Sequence, residues 1–227
     1  MLALSLGMLG AVAGAATNAT PAAPDPQIQR AQQHQLELHR MQLIDDRCKL
    51  LDITSRAALD ATAAERLAWL RDKAPQQMPT PADISSASEK ANAVDCRSGQ
   101  EVIGVRRGAW QMRITWALRA EALLPAEGRP QWLATQSPVI PYQQPLQETL
   151  AALQDKYGGS INTSRPRIAA ESIKLLAKAC PQKPHRCPVE TAGEFSKDYA
   201  EEWLRHTTLF AQLLAKDPDK VPPVPGS

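Results

Sequence analysis

The sequence predicts an all-α protein, a disulfide-stapled bundle of about seven helices with Pro-rich connections. Ala and Leu are the most frequent residues, with 36 and 25 copies, whereas Val and Ile together number 18 and aromatic residues make up 4%. Sandwiches and barrels need many β-branched and aromatic residues, so this composition favours helices. Apolar residues recur at helical spacing along most of the chain, and no segment shows the alternation of a strand.

The N-terminal segment predicts export. Residues 2–16 are apolar or small, carry no charge and contain small-x-small sites suited to signal peptidase. The stretch is too short to span a bilayer of about 30 Å as a helix. We therefore expect residues 1–16 to be a secretory signal peptide and residues 17–26 a disordered leader. Because the first basic residue is Arg30, either the true start lies upstream or the signal is atypical; an uncleaved Ala-rich leader is the alternative.

The even number of cysteines predicts disulfides. Cys48, Cys96, Cys180 and Cys187 allow three pairings, and we predict the neighbour pairs Cys48–Cys96 and Cys180–Cys187. A chain-entropy model gives about 4 kcal/mol for the first bond and about 2.5 kcal/mol for the second. The alternative is a metal site at Cys180, His185 and Cys187, but that spacing matches no familiar zinc pattern, and export oxidises such thiols. We expect no metal and no cofactor.

Periodicity and caps place the first helices. A long first helix is predicted over Gln27–Ala58, because apolar residues recur there at steps of three, four and seven. A capping box at Thr62–Glu65 predicts a second helix over Ala63–Lys73. A third helix is predicted to begin at Pro81, with the preceding threonine as its cap, and to run to about Cys96.

The most apolar helix is predicted over Glu101–Leu124, and we expect it to lie at the centre of the bundle. Gly99, Gly104 and Gly108 weaken its first turns. They either let a neighbouring helix approach closely or mean that the helix begins later.

The second half of the chain has long Pro-rich joints. Pro125–Pro145 is predicted as an irregular connection that Trp132 and Tyr142 pin to the body. Later helices are predicted over 145–157, ended by Gly158 and Gly159, over 166–179, capped by Thr163 or Ser164, and over 190–216. Residues 27–216 are predicted as a single domain and 217–227 as a disordered Pro-rich tail.

Motif searches give little support for catalysis. G-x-S-x-G, the P-loop, G-x-G-x-x-G and H-E-x-x-H are all missing. The net charge of +2 gives no reason to expect nucleic-acid binding. Glu171, inside a predicted helix and followed by serine, is the one candidate for acidic catalysis on an envelope polymer. The sequence leaves enzymatic activity open and favours its absence.

Candidate binding residues lie on the central helix and in the connection after it. Arg106 and Arg113 are seven residues apart and share a helical face, where guanidinium groups suit carboxylates, phosphates or anionic glycans. The alternative is ordinary salt bridging with Glu101 and Glu121. Other candidate contact surfaces are the polar start of the first helix and the connection that carries Trp132 and Tyr142.

These observations lead to one main hypothesis and two alternatives. We expect an exported, non-catalytic protein of the bacterial periplasm or exterior that binds a protein partner or an envelope component, with no transmembrane segment after signal cleavage. One alternative is a hydrolase or lyase of an envelope polymer such as peptidoglycan, with Glu171 as the acidic residue. The other is a carrier of a small apolar ligand held between the central and last helices.

Overall fold

The computed structural model describes residues 25–97, 99–127, 129, 133–179 and 196–216, and within them it contains helices and no strand. The α-helices are α1 (Pro26–Cys48), α2 (Ile53–Lys73), α3 (Pro81–Asn92), α4 (Gln100–Ala122), α5 (Leu133–Gln136), α6 (Gln143–Ala179) and α7 (Lys197–Lys216). Short 3-10 turns occur at Pro75–Gln77 and Ile140–Tyr142. The predicted all-α, disulfide-stapled bundle is confirmed.

The first predicted disulfide is present. Cys48 is the last residue of α1 and bonds to Cys96, which follows α3, across a Cα–Cα distance of 5.2 Å. The bond fastens the end of α1 to the chain that leads into α4. Cys180 and Cys187 lie outside the described residues, as do the predicted signal peptide and tail.

The prediction of one helix over 27–58 is wrong, because the chain turns sharply after Cys48. Lys49 adopts a left-handed conformation with φ 51°. The buried carboxylate of Asp45 accepts hydrogen bonds from the amides of Leu50 and Leu51 at 2.8 and 2.9 Å. These bonds satisfy the donors of the turn, which the apolar periodicity on either side does not reveal.

The second helix begins ten residues earlier than Ala63. Asp52 is its N-cap, since its carboxylate accepts from the amides and hydroxyls of Thr54 and Ser55. The capping box predicted at Thr62–Glu65 is therefore wrong. Thr62 lies inside α2, where its hydroxyl donates to the carbonyl of Ala58.

The start of α3 is as predicted, and its end is earlier. Thr80 and Asp83 form a reciprocal capping box, with Pro81 in the first turn. The helix ends at Asn92, before the predicted limit near Cys96.

Two of the three glycines at the start of α4 explain how this helix begins and packs. Gly99 precedes the helix with φ 138°, a conformation that favours glycine. A Cβ at Gly108 would lie 2.8 Å from the Cε of Met41, so this glycine allows α1 to approach closely. Gly104 faces open space.

Side chains from the following connection cap the end of α4. Arg129 donates to the carbonyls of Glu121 and Leu124, and the hydroxyl of Ser137 donates to the carbonyl of Leu123. These bonds satisfy acceptors that a helix leaves open at its C-terminus. The connection that was predicted to be irregular also contains the four-residue helix α5 and a 3-10 turn.

The two helices predicted over 145–157 and 166–179 are present as two helical segments of α6, joined at Tyr157, whose backbone is not helical (φ −135°, ψ 26°). The predicted end of the first segment agrees with this kink, whereas the second segment begins directly after it and not at 166. The predicted cap is wrong, because the hydroxyl of Thr163 donates to the carbonyl of Gly159 within the helix. The described part of the last helix begins at Lys197.

The core has two parts. The larger joins α2, α4, α6 and α7, and its largest fully buried side chains are Trp116, Trp203 and Phe210. The smaller lies between α1, α2 and the start of α4 and includes Leu38 and Ile44. Because α4 packs against α1, α2, α6 and α7, it is the central helix, as predicted.

Candidate functional site

An open groove of about 430 Å³ runs between α1 and α3. From α1, Leu36, Glu37 and Arg40 line it. From α3, Asp83 and Lys90 line the opposite wall, and the buried Ala87 lies between them. Gln33, in the polar start of the first helix that was predicted as a contact surface, also lines this wall, whereas Leu36, Glu37 and Arg40 follow that polar stretch.

Charged residues lie on the rim of this groove. The guanidinium of Arg40 donates to Glu37 at 3.0 Å and to Glu101 at 2.8 Å, and these bonds hold the pKa of Arg40 above its ordinary value. The hydroxyl and amide of Thr80 donate to Asp83 and hold the pKa of that carboxyl below its usual range. The rim therefore stays charged across ordinary pH.

Apolar surface accompanies the charges. Leu36 is half-buried, and Ile84, next to Asp83 on α3, has 43% of its surface exposed. An amphipathic segment of another protein has an apolar face and charged side chains next to it. A groove with apolar surface and a rim of both charge signs is suited to such a segment.

The structure separates the predicted binding residues of α4. Arg106 is exposed, with no ion-pair partner among the residues described. Arg113 has 3% of its side chain exposed and pairs with Asp52 at 3.2 Å. The two arginines thus do not form one surface. The expected alternative partners also differ, since Glu101 pairs with Arg40 and Glu121 with Arg165.

The other predicted site residues lie in separate places. Tyr142 is half-buried, and its hydroxyl accepts a hydrogen bond of 2.8 Å from Gln212, which ties the 3-10 turn to α7. Trp132 lies outside the described residues. Glu171 is exposed on α6 and pairs with Arg167, one turn away, at 2.8 Å. That placement gives its carboxyl no burial and no second carboxyl as a partner.

A polar cluster that the sequence did not predict joins three helices inside the bundle. Glu65 of α2 accepts from the hydroxyl of Tyr199 at 3.0 Å and from Arg119 of α4 at 2.7 Å. The Arg119 guanidinium lies 4.5 Å from the ring centre of Trp116. The Trp116 indole in turn donates to the hydroxyl of Thr62 at 2.9 Å. The cluster thus links α2, α4 and α7 across their shared interface.

The hydrogen bonds of this cluster join helices, and its phenol is held in the protonated form. Burial raises the pKa of the Tyr199 phenol, and the neighbouring Glu65 carboxylate raises it further, so the phenol stays protonated. Arg119 neutralises the same carboxylate. In the described part of the chain, no group of three or more His, Cys, Asp and Glu residues is placed to hold a metal ion.

Beside the cluster, a second groove of about 420 Å³ opens between α2 and α7. Arg71 and Asp72 line it from α2, and Tyr199 and Glu202 line it from α7. Arg71 and Glu202 form an ion pair of 3.4 Å across it.

Neither groove was predicted from the sequence, for a physical reason. Each depends on how two helices lie side by side, which helical periodicity within one helix does not determine. The sequence also misled us at Glu65, whose spacing from Thr62 matches a capping box although it lies, half-buried, in the interior of α2. The segment Asp52–Ser55 was the available signal for the start of α2, because Asp, Thr and Ser are all residues that are preferred at a helix N-cap.

The fold defines the chain as a disulfide-stapled, all-α protein with an open groove between α1 and α3. Searches of protein-family models, curated proteins and solved structures found no match to it. Every helix among the described residues is too short or too polar to cross a membrane.

Proposed function

We propose that this protein is an exported, non-catalytic binding protein that holds a segment of a protein partner in the α1–α3 groove. The observation that supports it best is the groove itself, with charged residues on its rim and the apolar side chains of Leu36 and Ala87 in its lining. The Cys48–Cys96 bond fits action in an oxidising place such as the bacterial periplasm or exterior.

The alternatives have less support. The space between α4 and α7, where a small apolar ligand was expected, is occupied by the buried side chains of Trp116 and Trp203. A polymer hydrolase would need an acidic residue in a cleft, whereas Glu171 is exposed and paired with Arg167. We therefore propose binding in preference to either.

Site-specific photo-crosslinking tests the proposal. A photoreactive amino acid replaces exposed Ser86 on the groove wall or, as a control, exposed Lys174 on α6. In the exporting cell, we expect an adduct with one envelope protein from position 86 and none from position 174. Equal labelling at both positions would count against the groove.

A matched pair of substitutions tests specificity. Leu36→Asp should lower the yield of that adduct about tenfold, because a charge replaces apolar area in the lining of the groove. Leu209→Asp is the control, because Leu209 is also a partly exposed leucine but lies on α7. If both variants or neither changed the yield, with helix content intact by circular dichroism, the groove would not be the binding site.

A further inference from the structure

His206 lies where two charged partners compete for one ring nitrogen. Its Nε2 is 3.1 Å from the Nη2 of Arg205 and 3.6 Å from the Oε1 of Glu202. A guanidinium has only donors, so Nε2 accepts from Arg205, and the ring is neutral with its proton on Nδ1. A proton added at Nε2 would abolish that hydrogen bond and place a positive charge beside Arg205.

Glu202 connects this ring to the neighbouring helix. Its carboxylate pairs with Arg71 of α2 at 3.4 Å, while Arg205 and His206 of its own helix each lie 3.6 Å away. The Arg71 pair is thus an ion pair between α2 and α7 at the edge of the groove that Tyr199 lines. Arg71 binds Oε2 of Glu202 and His206 faces Oε1, so an imidazolium at His206 would attract the carboxylate through the opposite oxygen, away from Arg71.

The surroundings favour the neutral ring. Burial lowers the pKa of His206 below its ordinary value, Arg205 lowers it further, and the attraction of Glu202 and Glu65 offsets this only in part. The His206 side chain is 14% exposed, and its ring lies 6.4 Å from that of Trp116.

The charges that act on His206 come from Arg205 and Glu202 of its own helix and from Glu65 of α2. These two carboxylates pair in turn with Arg71 of α2 and Arg119 of α4. On α6, Arg165 and Arg167 pair with Glu121 and Glu171.

We propose that Arg71, Glu202 and His206 form an acid-sensitive latch in which protonation of His206 draws Glu202 from Arg71 and loosens the N-terminal half of α7 from α2. The displaced Arg205 is exposed and turns into solvent. Because its folded-state pKa is lowered, His206 contributes stability that is complete above its unfolded pKa and is lost as the pH falls through the folded value. The latch is separate from the α1–α3 groove, so either proposal can fail alone.

Hydrogen exchange by mass spectrometry on the full chain tests the latch. Protection of the amides of 197–206, corrected for intrinsic exchange rates, should fall about two- to fivefold between pH 7.5 and 4.5, the range expected for one partly exposed ion pair. His206→Gln keeps an acceptor for Arg205 but takes no proton, so it should remove this pH dependence. The matched control is His39→Gln, on α1, which should retain it.

A second variant tests the Arg71 ion pair directly. Arg71 is exposed, so Arg71→Gln should fold, and its protection of 197–206 at pH 7.5 should already equal the acid value of the parent protein. The latch is overturned if protection in the parent does not depend on pH. It is also overturned if His206→Gln shows the same acid loss, or if Arg71→Gln changes nothing.

Discussion

Tyr199 and Glu65, 134 residues apart in the chain, share a hydrogen bond of 3.0 Å between α7 and α2. Arg119 of α4 binds the other oxygen of the same carboxylate. One carboxylate thereby links three helices. The ion pair of Glu202 with Arg71 and the hydrogen bond from Gln212 to Tyr142 also hold α7 in the bundle.

Tyr199→Phe should lower the free energy of unfolding by about 1–3 kcal/mol, because the part-buried carboxylate of Glu65 loses a donor. Tyr142→Phe is the control, since the hydroxyl of the half-buried Tyr142 has a single bond to Gln212; its cost should be about 1 kcal/mol or less. Urea unfolding measures both. If both variants lost the same free energy of unfolding, the bond to Glu65 would contribute no more than the bond to Gln212.

Replacing both Cys48 and Cys96 by Ser should lower the free energy of unfolding by about 4 kcal/mol, because the bond closes a loop of 48 residues in the unfolded chain. Denaturant titration of the double variant against the parent gives the difference. The substitution leaves the other two cysteines untouched, which reduction would not. An unchanged midpoint would contradict the stabilising role of this bond.

Stability should fall in acid partly through Asp52. Burial alone would raise the pKa of this carboxyl, but bonds from Ser55 and Thr54 and the charge of Arg113 hold it below its usual range. Its contribution is therefore present above the unfolded pKa, about 3.9, and is lost as the pH falls through the lower folded value. Between pH 6 and pH 2, the free energy of unfolding should therefore change less with pH in Asp52→Asn than in the parent. Denaturant titrations at several pH values measure it.

Asp52→Ala serves as the companion variant to Asp52→Asn. Asn remains a good helix N-cap, whereas Ala does not, so Asp52→Ala should be about 1 kcal/mol less stable than Asp52→Asn at pH 7. Equal stabilities would show that the cap of α2 depends on the charge alone.

Gly104 and Gly108 form a matched pair on α4. Gly104→Ala should raise stability by about 1 kcal/mol, because its site is open and Ala is the better helix former. Gly108→Ala should gain less, since the side chain of Met41 must move away from a Cβ that would lie 2.8 Å from it. Thermal unfolding distinguishes them, and equal gains would mean that α1 and α4 do not pack closely there.

The sequence predicted most of what depends on local chemistry. The cap at Thr80 and the central place of α4 follow from residue spacing, and the Cys48–Cys96 pairing was the simplest neighbour choice; each agrees with the structure. These features depend on side chains that act within a few residues or on a long apolar face. The same reasoning placed a boundary beside Tyr157, where the chain has a kink.

What the sequence did not predict depends on contacts between distant segments. The turn after Cys48 is held by Asp45, whose partners are amides that any residue would supply. Arg113 was expected at a surface, but its partner Asp52 lies on another helix, 61 residues away. A sequence pattern does not distinguish a polar residue that is buried in a pair from one that is exposed to solvent. The burial of such pairs follows only from the packing of the helices.

The covalent bond at Cys48 also has a consequence for the α1–α3 groove. Among the described helices, α3 packs chiefly against α1, and its buried face consists of Ala87 and Ala91, which offer little apolar area. Such a short helix with a small buried face is marginal by itself. The bond to Cys96 holds the far end of α3 beside the end of α1. The wall of the groove that α3 forms is therefore expected to be held more firmly in the oxidised chain than in newly made, reduced chains.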